Sequence, residues 1–359
     1  MIDNETIKRV VVYGGSFNPP TKAHILIMQS ALDAVNADRG YFVPVSFPYL
    51  KRKMVKAGQS HLCLSDELRL RLLETTIAND ERVQIYTDVM GEPFSDDVGN
   101  MNRIQQQYPK ADIYYVAGAD KLDLLDHFAK KGDFLNRFRC ILYARDSDRL
   151  MEEIAAHEHL KAHQDAFVPV APPEGIEGVS STKIREHLFD VETVADMLYP
   201  AVVPMLRELK ATDYPKEIIQ FKDAYGFLSN DDHSPLTVEG ITYPCVTSAF
   251  AASKWENPAE RKTIAGMKLK KVKQKFNTKE SSPVWEEQKT EIMEALIRMK
   301  FRQHPELAEK LAATGECRLI NGGKKDAFWG VNLITWEGDN RLGLILMKIR
   351  KEIMEEKAK

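Results

Sequence analysis

One stretch constrains the fold of this chain more than any other: Val10-Val11-Val12-Tyr13-Gly14-Gly15-Ser16-Phe17-Asn18-Pro19-Pro20-Thr21-Lys22-Ala23-His24. It begins as a β-branched run, the composition of a buried strand. It breaks at two glycines and two prolines, then resumes with helical apolar spacing at Ala23, Ile27, Ala31, Leu32 and Val35. A strand therefore runs through a turn into a helix N-terminus, where unpaired backbone N–H groups and the helix dipole favour an anion. Gly14 and Gly15 carry no Cβ to hold a phosphate off the backbone. Pro20 suits helix entry and Thr21 suits an N-cap. Thr21 and His24 are three apart, so both fall on one face of the first turn. An imidazole placed there can hydrogen-bond a phosphate whose charge grows during reaction.

The string GGSFNPPTKAH resembles the nucleotide-binding signature of the nicotinamide/nicotinate mononucleotide adenylyltransferases, in the nucleotidyltransferase superfamily whose motif is often written HxGH. Thr21 stands where many members have the first histidine, and His24 is the second. A second motif follows in the order the family has. Gly178-Val179-Ser180-Ser181-Thr182-Lys183-Ile184-Arg185 places hydroxyl residues at a helix start, and Arg185 can turn a planar fork back towards that end. SSTKIR is similar to the family's second phosphate-binding motif. The resemblance implies that Ser16 and Phe17 belong to the nucleotide site. It also implies roles there for Gly118 and Asp120, which follow the strand-like Asp112-to-Ala117 run where open α/β sheets bind ligands. A lysine after the second strand is implied as a phosphate contact, Lys51 before Lys53. Tyr86 is the nearest aromatic to a ring-stacking position of the family. The implied reaction is attack of a pyridine mononucleotide phosphate on the α-phosphorus of ATP, with magnesium arriving on the ATP. Thr21, His24, Lys51 and Arg185 are the implied catalytic set.

Strand-like runs at Tyr41–Val45, Val83–Thr87, Asp112–Ala117 and Phe138–Ala144 alternate with helical patterns. That alternation predicts a parallel α/β sheet, and the resemblance makes it Rossmann-like. At 359 residues and 43% hydrophobic the chain is long enough for two domains. The polar, proline-containing junction from Ala211 to Lys216 puts the boundary at 212/213.

Beyond it helical patterns dominate: Ser248–Trp255, Pro258–Ala265, Val284–Arg302, Pro305–Ala313 and Arg341–Glu355, with short apolar pieces between. Phe227-Leu228-Ser229-Asn230, Tyr243-Pro244, Ala249-Phe250-Ala251-Ala252-Ser253-Lys254, Asp326-Ala327-Phe328-Trp329-Gly330 and Asn340-Arg341-Leu342-Gly343 together resemble the NADAR (YbiA-like) family. This predicts a mainly helical α+β second domain. It implies a ligand pocket holding Asn230, Lys254, Trp285, Asp326, Trp329, Gly330 and Asn340. Members are N-glycosidases on ribose-linked substrates, which makes an ADP-ribose-type ligand the expected partner. The family pattern Tyr-Pro-x-x-Glu-His-x-Phe-Gln meets Thr247, Ser248 and Ala251 here. A threonine cannot act as a carboxylate base. Either Asp326 substitutes as the acid, or the domain binds without cleaving.

A formal net charge of −3 gives no reason to expect nucleic acid or an anionic membrane, and the lysines between Lys268 and Lys275 read as a solvated face. Cys63, Cys140, Cys245 and Cys317 lie far apart, as suits reduced cytoplasmic thiols. His157, His159 and His163 have no carboxylate pattern to complete a metal site, so none is expected. The sequence leaves three readings of the whole: the adenylyltransferase with a second catalytic or sensing domain, another small-molecule nucleotidyltransferase, or a nucleotide-sensing regulator. Amide or acid preference is open, as is a homo-oligomer.

Overall fold

The computed structural model describes residues 6–90, 92 and 96–357. The chain divides into two compact units, Met1–Tyr214 and Pro215–Lys359.

In the first unit β1 (Arg9–Gly15), α1 (Lys22–Ala34), β2 (Arg39–Pro44), α2 (Phe47–Lys56), α3 (Asp66–Ile77), β3 (Val83–Ile85), α4 (Asp97–Gln107), β4 (Asp112–Gly118), α5 (Leu122–Lys131), α6 (Phe134–Arg137), β5 (Arg139–Tyr143), α7 (Ser147–Ala156), β6 (Phe167–Val170), α8 (Ser181–Glu186) and α9 (Val203–Arg207) follow one another. The strands form one six-stranded sheet in the order β3-β2-β1-β4-β5-β6, and every pairing is parallel. Val12 lies beside Tyr41 on one flank and Tyr115 on the other. A strand so enclosed must be apolar on both faces, which is why β1 reads as a continuous β-branched run. Alternate side chains feed two cores: Val10, Val12, Ile113 and Tyr115 on one face, Val11, Phe17, Ile25 and Met28 on the other. Strand order reverses between β1 and β4, the place where such sheets open a crevice at their carboxyl ends.

The basic stretch after β2 is a helix, although its sequence reads as a loop. Pro48 in the first turn starts α2, and Lys53 and Lys56 close it at the negative pole of the dipole. Tyr86 is buried against Tyr41 within the core, so it does not serve as a ring contact in a ligand site.

The second unit is mainly helical, with α10 (Val246–Ala252), α11 (Pro258–Ala265), α12 (Leu269–Thr278), α13 (Pro283–Gln303), α14 (Pro305–Ala312) and α15 (Arg341–Lys357). Glu217–Ile219 and Arg318–Ile320 pair in parallel. Leu236–Val238 and Ile241–Tyr243 form a hairpin whose turn, Glu239-Gly240, has positive φ at both residues (49° and 78°). That geometry matches the right-handed twist of the flanking strands. Phe250, Trp285, Leu296, Ile297 and Leu346 meet in the core. The lysine run lies on α12, anchored by the single buried Val272. Among the described residues no helix is long and apolar enough to cross a membrane.

Candidate functional site

A cleft of about 450 Å³ opens outside the C-terminal ends of β1, β4 and β5, lined among others by Gly14, Gly15, Ser16, Phe17, His24, Lys53, Gly118, Asp120, Ser181, Thr182 and Arg185. Two segments far apart in sequence are locked together at its edge. Ser181 Oγ donates to the Pro19 carbonyl at 2.9 Å, and an Arg185 guanidinium N–H donates to the Asn18 carbonyl at 2.8 Å. Asn18, fully buried, also donates to the Leu62 carbonyl and accepts from the Leu64 N–H. The loop between β1 and α1 is thus fixed from three sides.

His24 is set by its own helix start. Thr21 caps α1, and the exchange is reciprocal: its Oγ1 accepts from the His24 N–H, while its own N–H donates to His24 Nδ1 at 2.9 Å. A backbone amide can only donate, so Nδ1 is the acceptor nitrogen, and a neutral ring carries its proton on Nε2. Burial first, and then the nearby Lys53 ammonium, push the His24 pKa down to about 4. The imidazole is therefore a neutral hydrogen-bond donor at physiological pH. Phe17 packs edge-on against it at 5.1 Å between centroids and equally against Phe42.

Phe17 also explains Gly15. A Cβ on Gly15 would lie 2.8 Å from the Phe17 ring. The missing side chain makes room for this aromatic support, and Gly15 also lines the cleft, where the sequence put it. Phe17 itself is buried beneath the site. Gly118 leaves room for Asp120, since a Cβ there would stand 2.5 Å from the Asp120 carboxylate. Asp120 pairs with Lys121 at 2.7 Å. Ser180 caps α8 through the Lys183 N–H, and Thr182 accepts from Arg185.

The lysine assignment is corrected by α2. Lys51 is buried and donates to the Ser60 carbonyl at 2.7 Å, which takes it out of the cleft. Lys53, two residues on and so on a different helical face, lines the cleft and donates to Ser16 Oγ at 3.1 Å. Burial, then the charges of Arg185 and Lys121, lower its pKa. Three cations thus converge on the cleft. Sequence reasoning missed Arg69, fully buried, whose guanidinium donates to the Ser16 and Val45 carbonyls at 2.7 Å and pairs with Asp66. Its signal was an arginine at the apolar spacing of Leu72 and Leu73.

In the second unit the residues expected to share a pocket separate. Lys254 and Trp285 line a cavity of about 410 Å³ with Tyr243, Arg261 and Gln288. The Lys254 ammonium lies 3.8 Å from the Phe276 ring centroid and 4.9 Å from that of Trp285, and burial lowers its pKa. Trp329 packs edge-on to Phe250 and is not among the residues that line this cavity. Asn340, at φ 50°, clasps Asn321 and Leu319, and a side chain on Gly330 would run into the Asn321 carbonyl. Both serve the backbone rather than the cavity. Asn230 gives its carbonyl to the Thr247 N–H at 2.9 Å and its amide to Met293 Sδ. Asp326 is exposed and caps a turn by accepting from the Phe328 and Trp329 N–H groups. Its assignment as the acid is corrected accordingly. The carboxylate against Thr247 is Asp231, which accepts from Thr247 Oγ1 at 2.7 Å and pairs with Lys273. The run Ser229-Asn230-Asp231-Asp232 was its sequence signal.

Residues 12–187 match the family described as Cytidylyltransferase-like, and residues 213–354 match the NADAR domain. N-glycosidase YbiA of Shigella flexneri is 34% identical over 138 residues, covering 38% of this chain and 86% of that protein. The probable nicotinate-nucleotide adenylyltransferase of Shouchella clausii is 25% identical over 203 residues, covering 56% of this chain and 95% of its relative. That of Neisseria meningitidis is 27% identical over 206 residues, covering 56% and 97%. Each relative spans one unit. The chain belongs to the NADAR family through its second unit, and joins that domain to a nucleotidyltransferase-like unit of cytidylyltransferase type.

Proposed function

We propose that the first unit transfers the adenylyl group of ATP to a pyridine mononucleotide. A phosphate oxygen of the mononucleotide attacks the α-phosphorus in line, the bond to the β-bridging oxygen breaks, and pyrophosphate leaves with that electron pair. No proton need move and no covalent protein intermediate forms. Catalysis then consists of positioning and charge stabilisation. The observation that carries this reading is the juxtaposition of a neutral Nε2–H donor on His24 with the Lys53 ammonium and Arg185 in one cleft. Nε2–H donates to an α-phosphate oxygen as its charge grows, and the cations hold the phosphates. Magnesium enters with ATP as part of the substrate and spreads the negative charge of the leaving pyrophosphate. Asp120 is the carboxylate in the cleft lining that would face it. Relatives named as probable nicotinate-nucleotide adenylyltransferases along nearly their whole length support the acceptor class. Chromatographic detection of a dinucleotide from MgATP and a pyridine mononucleotide, with pyrophosphate in equal amount, tests it.

The second unit, by its likeness to N-glycosidase YbiA, takes a ribosylated ligand of ADP-ribose type. Binding without cleavage is the reading favoured there, because Thr247 carries no charge, Asp326 is spent on a turn, and Asp231, the carboxylate against Thr247, is paired with Lys273. Incubation with ADP-ribose and with N-ribosides, followed by assay of released base and by calorimetry, separates binding from cleavage.

A further inference from the structure

Arg185 lines the cleft with most of its guanidinium donors already engaged. Nε–H and one Nη2 N–H donate to the side-chain oxygen of Gln59 at 3.1 and 3.0 Å. Nη2 also donates to Thr182 Oγ1 at 3.1 Å, and Nη1 to the Asn18 carbonyl at 2.8 Å. Of the five N–H groups of a guanidinium, one is left over, on Nη1.

Gln59 is not among the residues that line the cleft, so it acts there only through Arg185. Its side chain has one possible orientation, because only the oxygen of a carboxamide accepts. Its backbone is held as well. Gly58, at φ 69°, turns the chain just after α2. The Gln59 N–H donates to the Met54 carbonyl and the Gln59 carbonyl accepts from the Leu62 N–H, both at 2.9 Å. Asn18 bonds to Leu62 and Leu64, and its own carbonyl takes the Nη1 bond of Arg185. Arg185, Gln59, the segment from 59 to 64 and Asn18 thus close a ring at the edge of the cleft.

Charge is the second observation. All four bonds of Arg185 end on neutral oxygens, of an amide, a hydroxyl and a peptide group. Burial lowers its pKa, and its charge helps to lower that of Lys53. An arginine nevertheless stays protonated, so two cations stand in one cleft and the bonds that fix Arg185 cancel neither.

Resting on the function proposed above, we infer that Gln59 is a positioning residue for the phosphates of ATP: it grips the Arg185 guanidinium through a neutral oxygen and leaves its charge available to phosphate. A carboxylate at 59 could make the same two bonds, and make them more strongly. It would also cancel the guanidinium charge and set a negative charge against incoming phosphate. The amide holds without cancelling.

The test is the Kd of MgATP by calorimetry, with kcat and KM for dinucleotide formation and the melting temperature, in the wild type, Gln59→Glu and Gln59→Met. Gln59→Glu should raise Kd and KM for MgATP by about tenfold or more, the size of one lost charged contact. Its kcat should change less, and its melting temperature should equal or exceed that of the wild type. Gln59→Met, which keeps the length and loses the oxygen, should raise Kd less and lower the melting temperature. In an Arg185→Met background, Gln59→Met should raise Kd no further. A Gln59→Glu variant that binds MgATP as tightly as the wild type overturns the inference, because a merely structural tie survives in the carboxylate. So does weakened binding in Gln59→Glu that comes with a fall in melting temperature, or a further rise in Kd in the Arg185→Met background. A wild type that binds MgATP and forms no dinucleotide would instead refute the adenylyl-transfer reading, while the Kd comparison still decides the role of Gln59.

Discussion

The backbone N–H of Thr21 donates to Nδ1 of His24 at 2.9 Å, and this contact decides which nitrogen of the histidine faces the cleft with a proton. It leaves Nε2–H as the donor and makes a second proton costly, since the ring is buried and Lys53 is near.

The His24 imidazole should titrate near pH 4 in the folded protein, against about 6.5 in an unfolded chain. Its folded pKa is depressed, so its contribution to stability is complete above pH 6.5 and is lost as pH falls towards 4. The loss amounts to about 3 kcal/mol. Histidine NMR titration reads the pKa directly. Urea unfolding of wild type and His24→Asn at pH 7 and pH 4.5 should show the variant's stability deficit shrinking at the lower pH.

Lys53→Ala should cut kcat/KM for MgATP by about tenfold to a hundredfold, as a lost charged contact to phosphate, with little change in melting temperature. Lys51→Ala should do the reverse. Its ammonium is buried on the Ser60 carbonyl, so the variant should lose about 1–3 kcal/mol of stability while the folded fraction keeps its turnover. Steady-state kinetics and thermal melts of the two variants together check the exchange of roles.

Sequence alone made the strand–turn–helix at β1 and α1 legible, because β-branched residues, paired glycines and an N-cap each point to one local conformation. The parallel sheet followed from alternation of periodicities. What remained hidden was which way side chains turn within an element. Lys51 and Lys53 are equivalent as composition, and only the helical path of α2 sends one to Ser60 and the other to the cleft. Gly15 was legible as a position without a Cβ, but the ring of Phe17 that also needs this space depends on a positive φ of 43° at Phe17. In the second unit the motif residues were visible, yet Asp326, Gly330 and Asn340 turn out to hold backbone. Polar side chains in irregular loops can hydrogen-bond nearby main-chain groups instead of a ligand, and spacing does not distinguish the two.

Gly15→Ala should lower turnover more than binding. The added methyl meets the Phe17 ring at 2.8 Å, so the ring must shift and carry His24 with it. A misplacement of this kind costs on the order of a hundredfold in kcat, with KM for ATP changed much less. Initial-rate kinetics would show it, and combining Gly15→Ala with Phe17→Leu should recover part of the loss.

Lys300, buried in the second unit, donates to the Phe227 and Ser229 carbonyls at 2.7 and 3.1 Å and lies 3.7 Å from Asp232. Lys300→Met should cost about 2–4 kcal/mol, because both carbonyls lose their donor. Burial pushes the Lys300 pKa down to about 8 against the opposing pull of Asp232. Such a depressed pKa makes its contribution to stability greatest above the unfolded value near 10.5, and that contribution is lost as pH falls through 8. Denaturant unfolding of the full chain at pH 7.5 and pH 10 should therefore show a wild-type gain that Lys300→Met lacks.

The most direct test of the central claim is formation of a pyridine dinucleotide from MgATP and pyridine mononucleotide by the wild type and by His24→Ala, with folding of both verified by circular dichroism. The wild type should form dinucleotide and pyrophosphate in equal amounts. His24→Ala should be slower by about a hundredfold or more, the loss expected for a donor aimed at developing phosphate charge. A folded His24→Ala with near-wild-type turnover, or a wild type that forms no dinucleotide from either mononucleotide, would contradict it.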